Sequence, residues 1–228
     1  ASYYGGSLVN LDITANIDSA KFLINGVRWN NNADDGQYVS NNSISVMPLA
    51  PIGYKFDHWE LSSSPSATLL DTSNQWSYYY NNDMPAANWY ASNFDDAAWN
   101  TGKGKFGYGS SSTYTTPLDY GTDSENKYIT SYFRSNFTIN DLGQFEKLSA
   151  NITYDDGFVL YINGKEVTRK NIAEGDVNNK TLAITYVNDA TAQIDIPDSF
   201  LVVGNNSIAV EVHQNSVTSS DMTFELSL

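Results

Sequence analysis

Along most of its length the chain alternates apolar and polar residues with a period of two. Leu8-Val9-Asn10-Leu11-Asp12-Ile13-Thr14, Ser43-Ile44-Ser45-Val46-Met47 and Ser207-Ile208-Ala209-Val210-Glu211-Val212 are clear cases. Successive side chains of an extended chain point to opposite faces, so these runs predict half-buried strands. No stretch of about 12 residues carries the i, i+3, i+4, i+7 apolar spacing of a helix. Asn, Gly and Ser punctuate the chain at short intervals, and the expected class is all-β. Two tight hairpins are predicted, Phe22 to Trp29 around Asn25-Gly26 and Val159 to Val167 around Asn163-Gly164, because Asn-Gly tolerates the positive φ angles of a two-residue turn. A single helical turn is expected over residues 93–99, where Asn93 or Asp95 can cap.

Between Leu61 and Asn74 the alternation lapses into Ser62-Ser63-Ser64-Pro65-Ser66-Ala67-Thr68 and Asp71-Thr72-Ser73-Asn74. That lapse predicts a small β domain over residues 1–62, a linker over 63–75 and a β-sandwich over 76–228. No internal repeat relates the two domains.

Composition narrows the partners. The chain has 228 residues, enough to bury a core without covalent staples, and no Cys, so disulfides, thiolate metal sites and a Cys nucleophile are absent. Twelve basic against 26 acidic residues give a net charge of -14, which repels nucleic acid and anionic membrane surfaces. Charged residues make up only 17% while aromatics reach 14%, so polarity comes mainly from Asn, Ser and Thr, a surface suited to neutral, hydroxyl-rich ligands. No window approaches the roughly 20 apolar residues of a membrane span. The first residues lack the basic and apolar regions of a signal peptide, so Ala1-Ser2 reads as a boundary within a longer protein.

Enzymatic motifs are missing. The chain has no Gly-x-Ser-x-Gly elbow, no phosphate-cradling Gly loop before a helix and no His-Glu-x-x-His. Its acids fall among Gly, Asn and Ser, where solvation keeps carboxylates ionised instead of poised as acids. A non-catalytic protein is expected.

Pro51-Ile52-Gly53-Tyr54-Lys55-Phe56-Asp57-His58-Trp59 resembles the closing strand of internalin-type B repeats, small β-grasp-like units of bacterial surface proteins. Three further stretches resemble the galactose-binding-like jelly-roll family, found as sugar-binding domains on glycoside hydrolases and spore-coat-homology surface proteins. They are Tyr154-Asp155-Asp156-Gly157 with its hairpin to Val167, Leu201 to Val212 with Gly204-Asn205-Asn206, and Phe94-Asp95-Asp96-Ala97-Ala98-Trp99 leading to Gly104-Lys105-Phe106-Gly107-Tyr108-Gly109. The resemblance implies a jelly-roll β-sandwich preceded by a β-grasp-like domain, a bacterial secreted or cell-surface setting and a polysaccharide partner. Specificity within this fold lives in the site and not in the architecture.

Candidate contacts follow from the chemistry of sugar recognition, in which a ring stacks on the CH face of a pyranose while polar neighbours reach its hydroxyls. Tyr108, Tyr114 and Tyr120 lie on a long Gly/Ser/Thr-rich loop. Asp155 and Asp156 offer strong acceptors, and Arg169, Asn171, His213, Gln214 and Asn215 flank neighbouring loops. Trp76, Trp89 and Trp99 are expected mainly in the core, as is Trp59, while Trp29 is a candidate for exposure. The resemblance allows a structural Ca²⁺, and Asp95, Asp96, Asp119 and Asp123 supply hard oxygen ligands for it.

Two readings follow. One is a carbohydrate-binding module that concentrates an appended enzyme on a neutral plant cell-wall β-glucan or hemicellulose. The other is a structural or adhesion segment of a surface protein, packed on other domains of its parent.

Overall fold

The computed structural model describes residues 8–30, 33–39, 43–59, 68–109, 114–142 and 147–228. The described residues up to 59 belong to one compact unit and those from 68 onward to another. Both are all-β, as the alternation predicts. A 3-10 turn spans Asp198–Phe200. Residues 93–99 form turns, in which Asp95 Oδ1 accepts from the Ala97 N–H at 3.0 Å.

The first unit carries two small sheets. β1 (Leu8–Ile13) pairs with β4 (Ala33–Val39), and β2 (Lys21–Ile24) lies between β3 (Val27–Asn30) and β5 (Val46–Leu49). Asn25 (φ 49°) and Gly26 (φ 82°) make the expected tight turn. Ile13, Phe22 and Ile24 form a small core, with Trp29 packed half-buried against it. Trp59 does not fill that core. It is 47% exposed, with its ring 6.1 Å from that of Phe22 and 5.0 Å from that of Phe56.

The second unit is a sandwich of two antiparallel-dominated sheets. The six-stranded sheet runs β13-β12-β15-β10-β6-β7 and the five-stranded sheet β14-β11-β16-β8-β9. Their strands are β6 (Gln75–Tyr79), β7 (Asn100–Lys103), β8 (Phe106–Tyr108), β9 (Thr116–Pro117), β10 (Thr130–Ile139), β11 (Leu148–Asp155), β12 (Gly157–Ile162), β13 (Lys165–Lys170), β14 (Ala190–Ile196), β15 (Gly204–His213) and β16 (Met222–Ser227). Register places Phe133, Val210 and Leu160 on the inner face of the six-stranded sheet. There Phe133 stacks on Phe224 of the other sheet at 4.1 Å, and Trp76 meets Phe224 edge-on at 5.3 Å.

The linker expected over 63–75 is shorter than the composition suggests. Residues 60–67 lie outside the described residues, but the Leu69 and Leu70 N–H groups donate to the Leu228 carbonyl at 2.6 and 3.1 Å, and Leu70 is buried. The Asp71–Asn74 stretch is an ordered turn closed by its own side chains, with Asp71 Oδ1 accepting from the Ser73 N–H at 2.7 Å. A polar composition here marks a turn within the second unit.

The six-stranded sheet has a second buried face. Trp89, Tyr132, Val159, Tyr161, Ile172, Ala183 and Ala209 form a cluster, flanked by Tyr79, Tyr90, Phe94 and Trp99. This outer layer comes from the segments around residues 86–99 and 171–187, which cross the sheet. Burial on both sides explains why β12 is buried at every position. On the outer face of the five-stranded sheet, Asn151, Gln193 and Thr191 are exposed among the described residues.

Candidate functional site at the loop end of the sandwich

β11 belongs to the five-stranded sheet and β12 to the six-stranded one, so the chain changes sheets at Asp155-Asp156. Both aspartates are fully buried. Asp156 splits its carboxylate between two loops: Oδ1 accepts from the Val187 N–H at 2.6 Å and Oδ2 from the Asn215 N–H at 2.9 Å. Asn171, held at φ 57°, repeats the device. Its Nδ2 donates to the carbonyls of Asp156 (3.1 Å) and Thr185 (2.6 Å), and its Oδ1 accepts from the Thr185 N–H at 3.1 Å. Main-chain bonds from Ala183 to the Gln214 carbonyl and from Ile184 to the Asn171 carbonyl complete the stitching.

These bonds leave one side chain in an unusual position. Tyr186 lies between the pinned residues Thr185 and Val187, yet it is 60% exposed. Partial desolvation and the carboxylates of Asp221, Asp155, Asp156 and Asp189 hold its phenol above the ordinary value. Lys105 Nζ lies 3.7 Å from Asp189 Oδ2. Asp221 sits against Gly109, where a Cβ would approach the Asp221 Cβ to 2.5 Å at a φ of +115°, so glycine lets the two loops meet. The result is a solvent-facing ring carried on main chain that is hydrogen-bonded on both sides of it.

The residues expected to bind ligand fall into two groups. Tyr108, Asp155, Asp156, His213 and Gln214 are buried, which corrects the expectation that they face a glycan. They build the frame instead. Gln214 Nε2 donates to the Asp155 carbonyl at 2.9 Å, and Tyr108 packs 5.1 Å from the Tyr120 ring. Tyr114, Tyr120, Arg169, Asn171 and Asn215 are half-buried. The Tyr114 hydroxyl donates to the Tyr108 carbonyl at 2.9 Å, and Lys127 Nζ lies 5.0 Å from the Tyr120 ring centroid. Residues 110–113 of that loop lie outside the described residues. Arg169 holds Glu166 bidentately at 2.7 Å and the carbonyls of Ala173 and Gly175, so its guanidinium is committed to its own loop.

His213 occupies a buried network on the outer side of the six-stranded sheet. Its Nδ1 is 2.9 Å from the Thr181 carbonyl and its Nε2 3.2 Å from Glu211 Oε2, while the Tyr161 hydroxyl donates to Glu211 Oε1 at 2.6 Å.

The four aspartates considered for Ca²⁺ do not converge. Asp95, Asp119 and Asp123 each accept from a main-chain N–H two residues on, and Asp96 pairs with Arg134 at 3.0 Å. Among the described residues, no group of three or more His, Asp or Glu side chains is placed to hold a metal ion.

No protein family profile and no curated protein matches the chain. Among solved structures, it is similar to a β-glycosidase from Bacteroides vulgatus, at 15% identity and a TM-score of 0.45, over 71% of this chain and 20% of that one. A calcium binding mutant of Bacteroides uniformis β-glucuronidase 2 matches at 15% identity and a TM-score of 0.44, over 70% and 18%. A β-glucuronidase of glycoside hydrolase family 2 matches at 16% and 0.42, over 68% and 15%. This chain spans a fifth or less of the length of each, and the likeness is one of partial backbone course.

Two outcomes follow from the buried groups. Replacing His213 with Ala removes the ring nitrogen 3.2 Å from buried Glu211 Oε2 and the ring contact to the Thr181 carbonyl, so urea unfolding of His213→Ala is expected to show a loss of about 1 to 3 kcal/mol from buried polar groups left without a partner. The second concerns pH. Burial, reinforced by the charges of Asp156, Asp221 and Asp189, pushes the Asp155 carboxyl up to about 8. The folded protein therefore keeps a proton that the unfolded chain releases near pH 4, and stability falls as pH rises through the window from about 4 to 8. Urea midpoints measured from pH 5 to 8.5 are expected to decline in the parent protein and to flatten in Asp155→Asn; equal slopes would remove Asp155 as the source.

Proposed function

We propose that the chain is a non-catalytic carbohydrate-binding module that carries an appended enzyme or surface protein to polysaccharide. The observation that supports this most directly is Tyr186, an aromatic ring held between two anchored residues and left open to water at the end of the sandwich. A rigid ring costs little ordering entropy when a pyranose stacks on it. The carboxylate of Asp221, which acts on the phenol electrostatically, suits sugar hydroxyls as an acceptor, and Asn215, whose N–H meets Asp156, lies half-buried beside the same crossing.

Charge points to the ligand class. At a net charge of -14, and with carboxylates beside the ring, the site disfavours uronic-acid polymers and favours a neutral chain such as a plant cell-wall β-glucan or hemicellulose. Such a module works on secreted or cell-surface proteins of bacteria, where it raises the effective concentration of its partner on the substrate.

Affinity electrophoresis through gels containing mixed-linkage glucan, xyloglucan, galactomannan or pectin tests the reading. Retardation by at least one neutral polymer is expected, weakened about tenfold or more in Tyr186→Ala with no change in melting temperature. Indifference to every polymer would support the alternative of a structural or adhesion segment.

A further inference from the structure

A hydrophilic hollow lies on the outer face of the six-stranded sheet, lined by residues other than those around Tyr186. Register builds its floor. On the outer face of the six-stranded sheet, Thr101 of β7 stands opposite Ser77 of β6, which stands opposite Arg134 of β10. Gln75 and Asn136 continue that face, and the turn carrying Asp96 makes a wall. The hollow is a shallow groove open to solvent, with a volume of about 480 Å³, comparable to small-ligand sites of roughly 300 to 1,000 Å³.

Its chemistry is one-sided. Every lining residue is an amide, a hydroxyl or a member of one ion pair, and no apolar side chain contributes. The Arg134–Asp96 pair is anchored, not adventitious: Arg134 is 2% exposed, its Nε donates to Asp96 Oδ2 at 3.0 Å, its Nη1 donates to the Trp89 carbonyl at 2.5 Å, and its guanidinium lies 5.3 Å from the Phe94 ring centroid. The Ser135 hydroxyl fixes the floor by donating to the Gln75 carbonyl at 3.0 Å.

Three ligand classes are disfavoured on these observations. An apolar molecule finds no matching surface. An anion gains little, because Asp96 already neutralises Arg134. An added peptide strand would need the free edge of β7, but Thr116 occupies it: the Thr116 hydroxyl accepts from the Lys103 N–H at 3.0 Å and donates to the Lys103 carbonyl at 2.8 Å. A ligand that is neutral and dense in hydroxyls satisfies amides, hydroxyls and a preset donor–acceptor pair together.

We infer that this groove over β7, β6 and β10 is a separate binding site for a neutral glycan, reading hydroxyls by hydrogen bonds without a stacking ring. The loop-end site is not required for it, so the two stand or fall apart.

Titration of the isotope-labelled full chain with cellohexaose, xylohexaose and mannohexaose, followed by amide chemical shifts, separates them. Saturable shifts at Gln75, Ser77, Thr101 and Asn136 are expected with at least one oligosaccharide, retained in Tyr186→Ala. They should weaken at least tenfold in the surface double variant Gln75→Ala/Asn136→Ala, which leaves Arg134 and Asp96 in place. Shifts confined to residues 182–189 and Asn215 would overturn the groove while leaving the loop-end reading intact. Absence of any shift at the groove with all three sugars, or groove shifts that vanish in Tyr186→Ala, would also overturn it.

Discussion

The carboxylate of Asp156 is the constraint on which the loop end depends. It is buried where the chain passes from one sheet to the other, and each of its oxygens terminates a different loop, one through Val187 and one through Asn215. Burial pushes its pKa upward, and the two main-chain N–H groups oppose that shift by stabilising the charged form. A buried carboxylate is tolerable only with such partners. Once they are in place, Thr185 and Val187 are fixed and the side chain between them faces water.

A second consequence comes from the layer that covers the six-stranded sheet. Tyr79, Trp89, Tyr90 and Trp99 pack on that face with side chains of β10, β12 and β15, with Tyr90 stacked on Tyr161 at 4.6 Å and Trp89 meeting Tyr132 edge-on at 4.9 Å. The aromatic wealth of the chain is spent largely on packing. Among the described residues, the loop end with Tyr186, the hydrophilic floor of β7, β6 and β10, and the outer face of the five-stranded sheet remain open. The functional surface is accordingly polar with few rings.

The architecture was largely legible in the sequence. Period-two alternation and the Asn-Gly pairs located the strands and both tight turns, because those signals are local and backbone-driven. The candidate contacts were less legible. Asp155, Asp156, His213 and Gln214 carry polar side chains beside turns, a pattern that reads as exposed; their burial comes from tertiary packing, including the crossing of residues 171–187 that meets Asp156 and His213. Trp59 errs the other way, since it ends its strand-like run with one neighbour, Phe22, in the core and much of its ring in water. Tyr186 escaped notice because Leu182, Ile184 and Tyr186 alternate like core positions. The small Ala183 between them is the residue that turns inward, and the three large side chains face out.

Amide hydrogen exchange at Val187 and Asn215 tests the central claim most directly, since both N–H groups lie in loops without strand partners. If Asp156 anchors these loops, both amides exchange as slowly as those of β12 and β15, and both lose that protection in Asp156→Ala. Exchange at the rate of an exposed turn in the parent protein would contradict the account, because Tyr186 would then have no fixed mount.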